Sequence, residues 1–201
     1  MHSPETPEDD GQRFASALGA GAGDDPGYLA SLRSPRYRST ELGRLRFLML
    51  VLAVAPVLIL AITPVIVPVG ADDPAPWLFA PLVAIALTAL LVGPRTPRPM
   101  APEDVPAVAA RTALGLVRTA LMVRFALAEA VILVGLPLAI VGQSPLVFAA
   151  GFVVGYPLLL WLALPTRGGV ERLRRTLEAR GAESHLWAVL LAPQSPPPHD
   201  R

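Results

Sequence analysis

The chain has 201 residues, 53% of them hydrophobic and 16% charged, with a mean hydropathy of +0.50. Those values exclude an ordinary soluble domain, in which apolar runs are shorter and broken by charge. The formal net charge of +1 hides a segregation of sign, all 17 basic residues are arginine, and no cysteine is present, which excludes disulfides and thiolate chemistry.

The first segment, 1–44, is polar, with acidic clusters at Glu8-Asp9-Asp10 and Asp24-Asp25, and it becomes basic from Arg33 onward. It lacks helical periodicity over its first 30 residues and reads as a disordered cytoplasmic tail. It also lacks the pattern of a cleavable signal peptide, so the first span is expected to act as the targeting signal. Its basic end, Arg33 to Arg46, lies beside the membrane and attracts anionic headgroups; this is lipid electrostatics and does not point to nucleic acid.

A four-helix transmembrane domain is expected over 45–166. Its spans are about 47–69, 74–92, 121–141 and 145–164, each long enough, or nearly so, for a hydrocarbon core about 30 Å thick. The fold class is therefore all-α: a polytopic membrane protein with four helices in antiparallel up-down order, followed by a short cytoplasmic C-terminal helix. Pro56, Pro64 and Pro68 fall in span one and Pro81 in span two, where they predict kinked helices.

Arginines fix the expected orientation. They precede span one, fill the connection between spans two and three at Arg95, Arg98, Arg111 and Arg118, and follow span four from Arg167 to Arg180. The other two connections, around Asp72-Asp73 and Gln143, carry none. By the positive-inside rule both termini lie in the cytoplasm, and the setting is the plasma (inner) membrane. Trp77 and Phe79 would then sit near the outer interface and Trp161 near the inner one.

The connection before span three begins with a proline-rich stretch and continues into a helix start at Glu103-Asp104-Val105-Pro106. From there either one helix about 50 Å long runs to Val141, or an interfacial piece turns into the membrane near Gly115.

Span three alone carries ionisable groups, Arg124 and Glu129. Charge within a membrane is expensive, so its retention marks a candidate site. Arg124 lies about 5 Å inside the cytoplasmic boundary and can snorkel outward, whereas Glu129 lies about 12 Å inside and has too short a side chain to escape. The two are about 140° apart around the helix, so they do not pair within it. Glu129 shares a stripe with Arg111 and Arg118. It must face protein, water or a partner chain, or be protonated.

The connection between spans three and four is so short that the two helices must be adjacent and antiparallel. Residues whose numbers sum to about 286 then lie at equal depth: Glu129 with Tyr156, Gly135 with Gly151, and Arg124 with Trp161. Gly151 and Gly155 form a GxxxG motif, which allows close backbone approach. A tight hairpin is expected, packed through Gly135, Gly151 and Gly155, with Tyr156 donating a hydrogen bond to Glu129. The candidate intramembrane polar site is Glu129, Arg124 and Tyr156.

After span four, 167–192 reads as a cytoplasmic amphipathic helical segment. Val170, Leu173 and Leu177 form its apolar stripe, Glu171, Arg174, Arg175 and Glu178 flank it, Gly181 caps it, and 186–191 is a second apolar run. The last segment, 193–201, is a proline-rich disordered tail.

Phe125-Ala126-Leu127-Ala128-Glu129-Ala130, followed by Gly135, resembles the carboxylate-bearing helix of the ATP synthase c subunit over about 20 residues. The chain departs from that family elsewhere: span two lacks repeated glycines, the polar loop signature is missing, and two further spans are present. Across its length, the arginine-only basic set, the proline-rich termini and the Ala-Glu-Ala helix make the chain similar to small four-span integral membrane proteins of actinobacteria. That resemblance implies a cellular setting and no activity.

His2, His185 and His199 are scattered outside the spans, so no metal site is expected. No phosphate-binding glycine loop or serine–histidine–acid set appears, so neither a cofactor nor an enzymatic activity is expected. The expected role is an accessory or structural membrane component working through helix–helix contacts. Its partners are the lipid bilayer and either another membrane protein or a second copy. The alternative is a small transport or proton-coupled protein using Glu129, and a third reading makes the basic segments a sensor of anionic lipid.

Overall fold

The computed structural model describes residues 40–70 and 73–192, so the expected tails and Ala71-Asp72 lie outside the described residues. Six α-helices and no strand element occur among the described residues: α1 (Glu41–Ile66), α2 (Phe79–Val92), α3 (Pro106–Val141), α4 (Pro145–Ala163), α5 (Arg167–Leu177) and α6 (Leu186–Leu191). Single 3-10 turns precede and follow α2, at Pro76–Leu78 and Gly93–Arg95, and another follows α5 at Glu178–Arg180.

Four helical segments are long and apolar enough to cross a membrane: α1, α2 with its flanking turns, α3 and α4. Their most apolar windows are only 22–44% buried within the protein. Val65, Val153 and Leu146 stand 88%, 69% and 63% exposed. A water-soluble bundle would bury such faces, so hydrocarbon is the solvent that suits them.

Local chemistry moves several helix ends away from their expected positions. Thr40 caps α1, its Oγ1 accepting from the Gly43 N–H at 3.1 Å, so that helix starts ahead of span one. It stops at Ile66 and not at Val69, because Pro68 disfavours helical geometry in the residue before it. Pro81 falls in the first turn of α2, where its missing N–H breaks no intrahelical bond, so it does not kink mid-span. Gly115 leaves α3 unbroken, and its 36 residues make one continuous helix about 54 Å long.

The chain divides into two compact units. The described part of the first comprises 40–46, 97–117 and 165–192. Here Thr166 caps α5 by accepting from the Gly169 N–H, and Val170, Leu173 and Leu177 are fully buried. Gly181 adopts φ +80°, the left-handed geometry of a helix C-terminal cap. Leu186, Trp187 and Leu190 of α6 are buried, and the Met100 N–H donates to the Leu177 carbonyl at 3.0 Å. The connection between spans two and three thereby belongs with the C-terminal segment.

The described part of the second unit comprises 47–70, 73–96 and 118–164. Its core is built from Leu78, Leu82, Leu121, Phe125, Ile132 and Phe148, among others. The Gly70 N–H donates to the Gln143 carbonyl at 2.7 Å, which ties the α1–α2 connection to the α3–α4 connection.

Candidate intramembrane site on the third span

The α3–α4 turn sets the geometry of the site. The Ser144 N–H bonds to Ala139 O and the Gln143 N–H to Ile140 O, with Gln143 at φ +47°. These two bonds form a Schellman cap, which reverses the chain within three residues. Glycine is the usual residue at the left-handed position, yet Gly142 sits one place earlier. A Cβ on Gly142 would lie 2.5 Å from Leu78 Cδ1, so its small size serves packing.

From that turn the two helices descend in close contact. A Cβ on Gly151 would meet Val131 O at 3.1 Å and Gly135 Cα at 3.6 Å. A Cβ on Gly155 would meet Ile132 Cγ1 at 2.5 Å and Ala128 O at 3.3 Å. The seam therefore runs through Ala128, Val131, Ile132 and Gly135 on α3 and through Gly151 and Gly155 on α4.

Glu129 and Tyr156 are not joined by a hydrogen bond, contrary to the sequence-based expectation. Each follows a seam residue (Ala128 and Gly155), and one helical step turns it about 100° out of the contact. Tyr156 instead stacks on Phe152, one turn away on its own helix, with ring centroids 4.8 Å apart and planes at 14°. Glu129 is half-buried, and among the described residues it makes no hydrogen bond or ion pair.

Arg124 is held by acceptors at the C-terminal end of α2. It is 8% exposed, and its Nε donates to Gly93 O at 2.9 Å and to Thr96 Oγ1 at 3.4 Å. Its Nη2 donates to the Thr96 carbonyl. The last carbonyls of a helix lack intrahelical donors and carry partial negative charge, so the C-terminal end of α2 is a natural seat for a guanidinium. Gly93 permits the close approach of α4 as well, since a Cβ there would lie 3.1 Å from Leu162 Cδ1. Arg124 thus belongs to a structural joint, separate from Glu129.

Sequence reasoning missed Gly93 and Thr96. A glycine at the end of one span and a lone arginine near the start of the next were the available signals. It also missed the outer members of a polar cluster in the first unit. Arg174 pairs with Glu171 at 2.9 Å and Glu178 at 2.8 Å, and Arg175 pairs with Glu171 at 3.0 Å. Trp187 Nε1 donates to Glu171 at 3.4 Å, and Ser184 Oγ donates to Glu178 at 2.7 Å. The hydrogen bond from Arg174, supported by those from Arg175 and Trp187 and opposed by partial burial, holds the Glu171 carboxyl down to about 2.

The chain matches no protein-family model, no curated protein and no solved structure.

Proposed function

We propose that this chain is an accessory subunit of a membrane assembly and that the Glu129 side of α3 seats a membrane helix of a partner protein. The observation that carries this reading is Glu129 itself, a half-buried carboxyl in a membrane-spanning helix with no bonding partner among the described residues. Such a group is costly in hydrocarbon, and a hydrogen-bond donor or cation on a neighbouring helix removes the cost. The arginine distribution supports a plasma-membrane protein with both termini cytoplasmic.

The alternative is proton-coupled transport through Glu129. A relay needs a chain of polar groups, and Glu129 bonds to neither Arg124 nor Tyr156, which favours the accessory reading.

Native mass spectrometry of the tagged full chain, purified gently from its host membrane, tests the reading. The expected result is a stoichiometric foreign subunit, retained by Glu129→Gln and lost with Glu129→Leu. A lone monomer or a homo-oligomer overturns it. Proton flux abolished by Glu129→Gln with assembly intact establishes transport instead.

A further inference from the structure

We infer that the second unit carries a specific phospholipid site, with an acyl chain in a groove between α2 and α4 and an anionic headgroup at Arg95. The groove encloses about 200 Å³ and is apolar throughout. Ala86 and Ala150 form its floor, Leu87 and Val154 its exposed rim, and Phe79 and Leu90 lie toward its two ends. Its depth comes from alanine: two small side chains on facing helices leave room that larger neighbours define.

Three observations choose the occupant. Both walls belong to membrane-spanning helices, where an apolar groove takes up hydrocarbon and not water. Along the α2 axis Leu90 lies about 7 Å from Arg95 and Ala86 about 14 Å, so an acyl chain reaching about 15 Å into its own leaflet from a headgroup at Arg95 covers the groove from Leu90 to Ala86. At the Leu90 end the charge is positive: Leu87, Leu91 and Arg95 follow one another at intervals of four residues along one ridge. Arg95 is exposed and bonds through Nη1 to the Leu91 carbonyl, which holds the guanidinium at the end of that ridge. Its remaining N–H donors suit the phosphate of an anionic lipid whose chain lies along α2. This inference stands apart from the Glu129 reading, because the groove lies on different helices from that residue.

The test is native mass spectrometry of the full chain in detergent, titrated with phosphatidylglycerol or with phosphatidylcholine carrying the same acyl chains. The wild type should bind one lipid tightly and prefer phosphatidylglycerol about fivefold, the effect of one basic side chain near a charged headgroup. Arg95→Gln should equalise the two lipids. Ala150→Leu and Val154→Phe fill the groove from its floor and its rim. Each should weaken the first lipid of both kinds about tenfold while helix content stays at the wild-type level. Val154 starts from an exposed position, so that variant remains informative should Ala150→Leu misfold. Unchanged lipid affinity in a folded groove variant overturns the proposal. So does loss of a co-purifying protein chain, with lipid retained, in those variants.

Discussion

Arg124 donates from Nε to the carbonyl oxygen of Gly93, 2.9 Å away and 31 residues earlier in the chain. Thr96 also donates to Gly93 O, from its N–H at 3.3 Å and its Oγ1 at 2.8 Å, and Arg124 donates in turn to Thr96, so the three residues together close the C-terminal end of α2. Hydrogen bonds to charged groups contribute about 1.5–3 kcal/mol each, more when the partner left behind is buried. Arg124→Leu should therefore destabilise the protein by about 2–4 kcal/mol, and Arg124→Lys by less, because lysine keeps the charge but not the planar fork. Denaturant midpoints in mild detergent measure both, and an unchanged midpoint for Arg124→Leu contradicts the joint.

Two glycines on the α3–α4 hairpin and one on α3 alone should respond in opposite directions to alanine. At Gly155 a Cβ would lie 2.5 Å from Ile132 Cγ1, so either helix must shift, and Gly155→Ala should cost about 1–3 kcal/mol. Gly151→Ala presses on the Val131 carbonyl at 3.1 Å and should fall at the lower end of that range. Gly115 lies inside a helix, and a Cβ added there would meet nothing within 4 Å. Gly115→Ala should stabilise by about 0.5–1 kcal/mol. Thermal unfolding of the three variants side by side reads the contrast directly.

The α3–α4 turn gives a related pair. Gln143 holds φ +47°, a conformation that costs a side-chain-bearing residue about 1–2 kcal/mol relative to glycine. Gln143→Gly should recover up to about 1 kcal/mol, since glycine also gains freedom in the unfolded chain. Gly142→Ala, one residue earlier, should destabilise through Leu78. Equal effects of the two changes would mean that the turn is not the Schellman cap described above.

How much was legible in the sequence follows from what each inference depended on. Apolar length depends on composition alone, and four helices long and apolar enough to cross a membrane occur among the described residues, although the first and third begin well before the expected spans. Depth within the α3–α4 hairpin depends only on a short connection, so Gly151 could be matched to Gly135 by counting. Azimuth around the helix does not follow from depth, and Tyr156 lies one step past the seam, stacked on Phe152. The Arg124 joint depends on the register of α2 against α3, which the long connection through Pro97 and Pro102 leaves open. Trp187 and Ser184 reach Glu171 and Glu178 only because the chain folds back after Gly181, and no periodicity encodes that return.

The cluster around Glu171 predicts an acid transition. The carboxyl is held down to about 2 chiefly by the Arg174 hydrogen bond, from an ordinary value of 4.5. A carboxylate held below its unfolded value binds fewer protons in the folded state, so folding gains stability as pH rises through this window. Its contribution is complete above about pH 4.5 and disappears as pH falls toward 2. Trp187 reports on the event because its Nε1 donates to the same carboxylate. In a Trp77→Phe, Trp161→Phe background, the emission of Trp187 should shift as pH falls from 5 toward 2, as the fold around α6 loosens. Glu171→Gln should begin less stable at pH 7, having lost the charged pairs with Arg174 and Arg175, and should show a flatter profile across that window. A Glu171→Gln profile as steep as that of the parent would place the acid-sensitive group elsewhere, and Glu178, which accepts from Arg174 and Ser184, would be the next to replace.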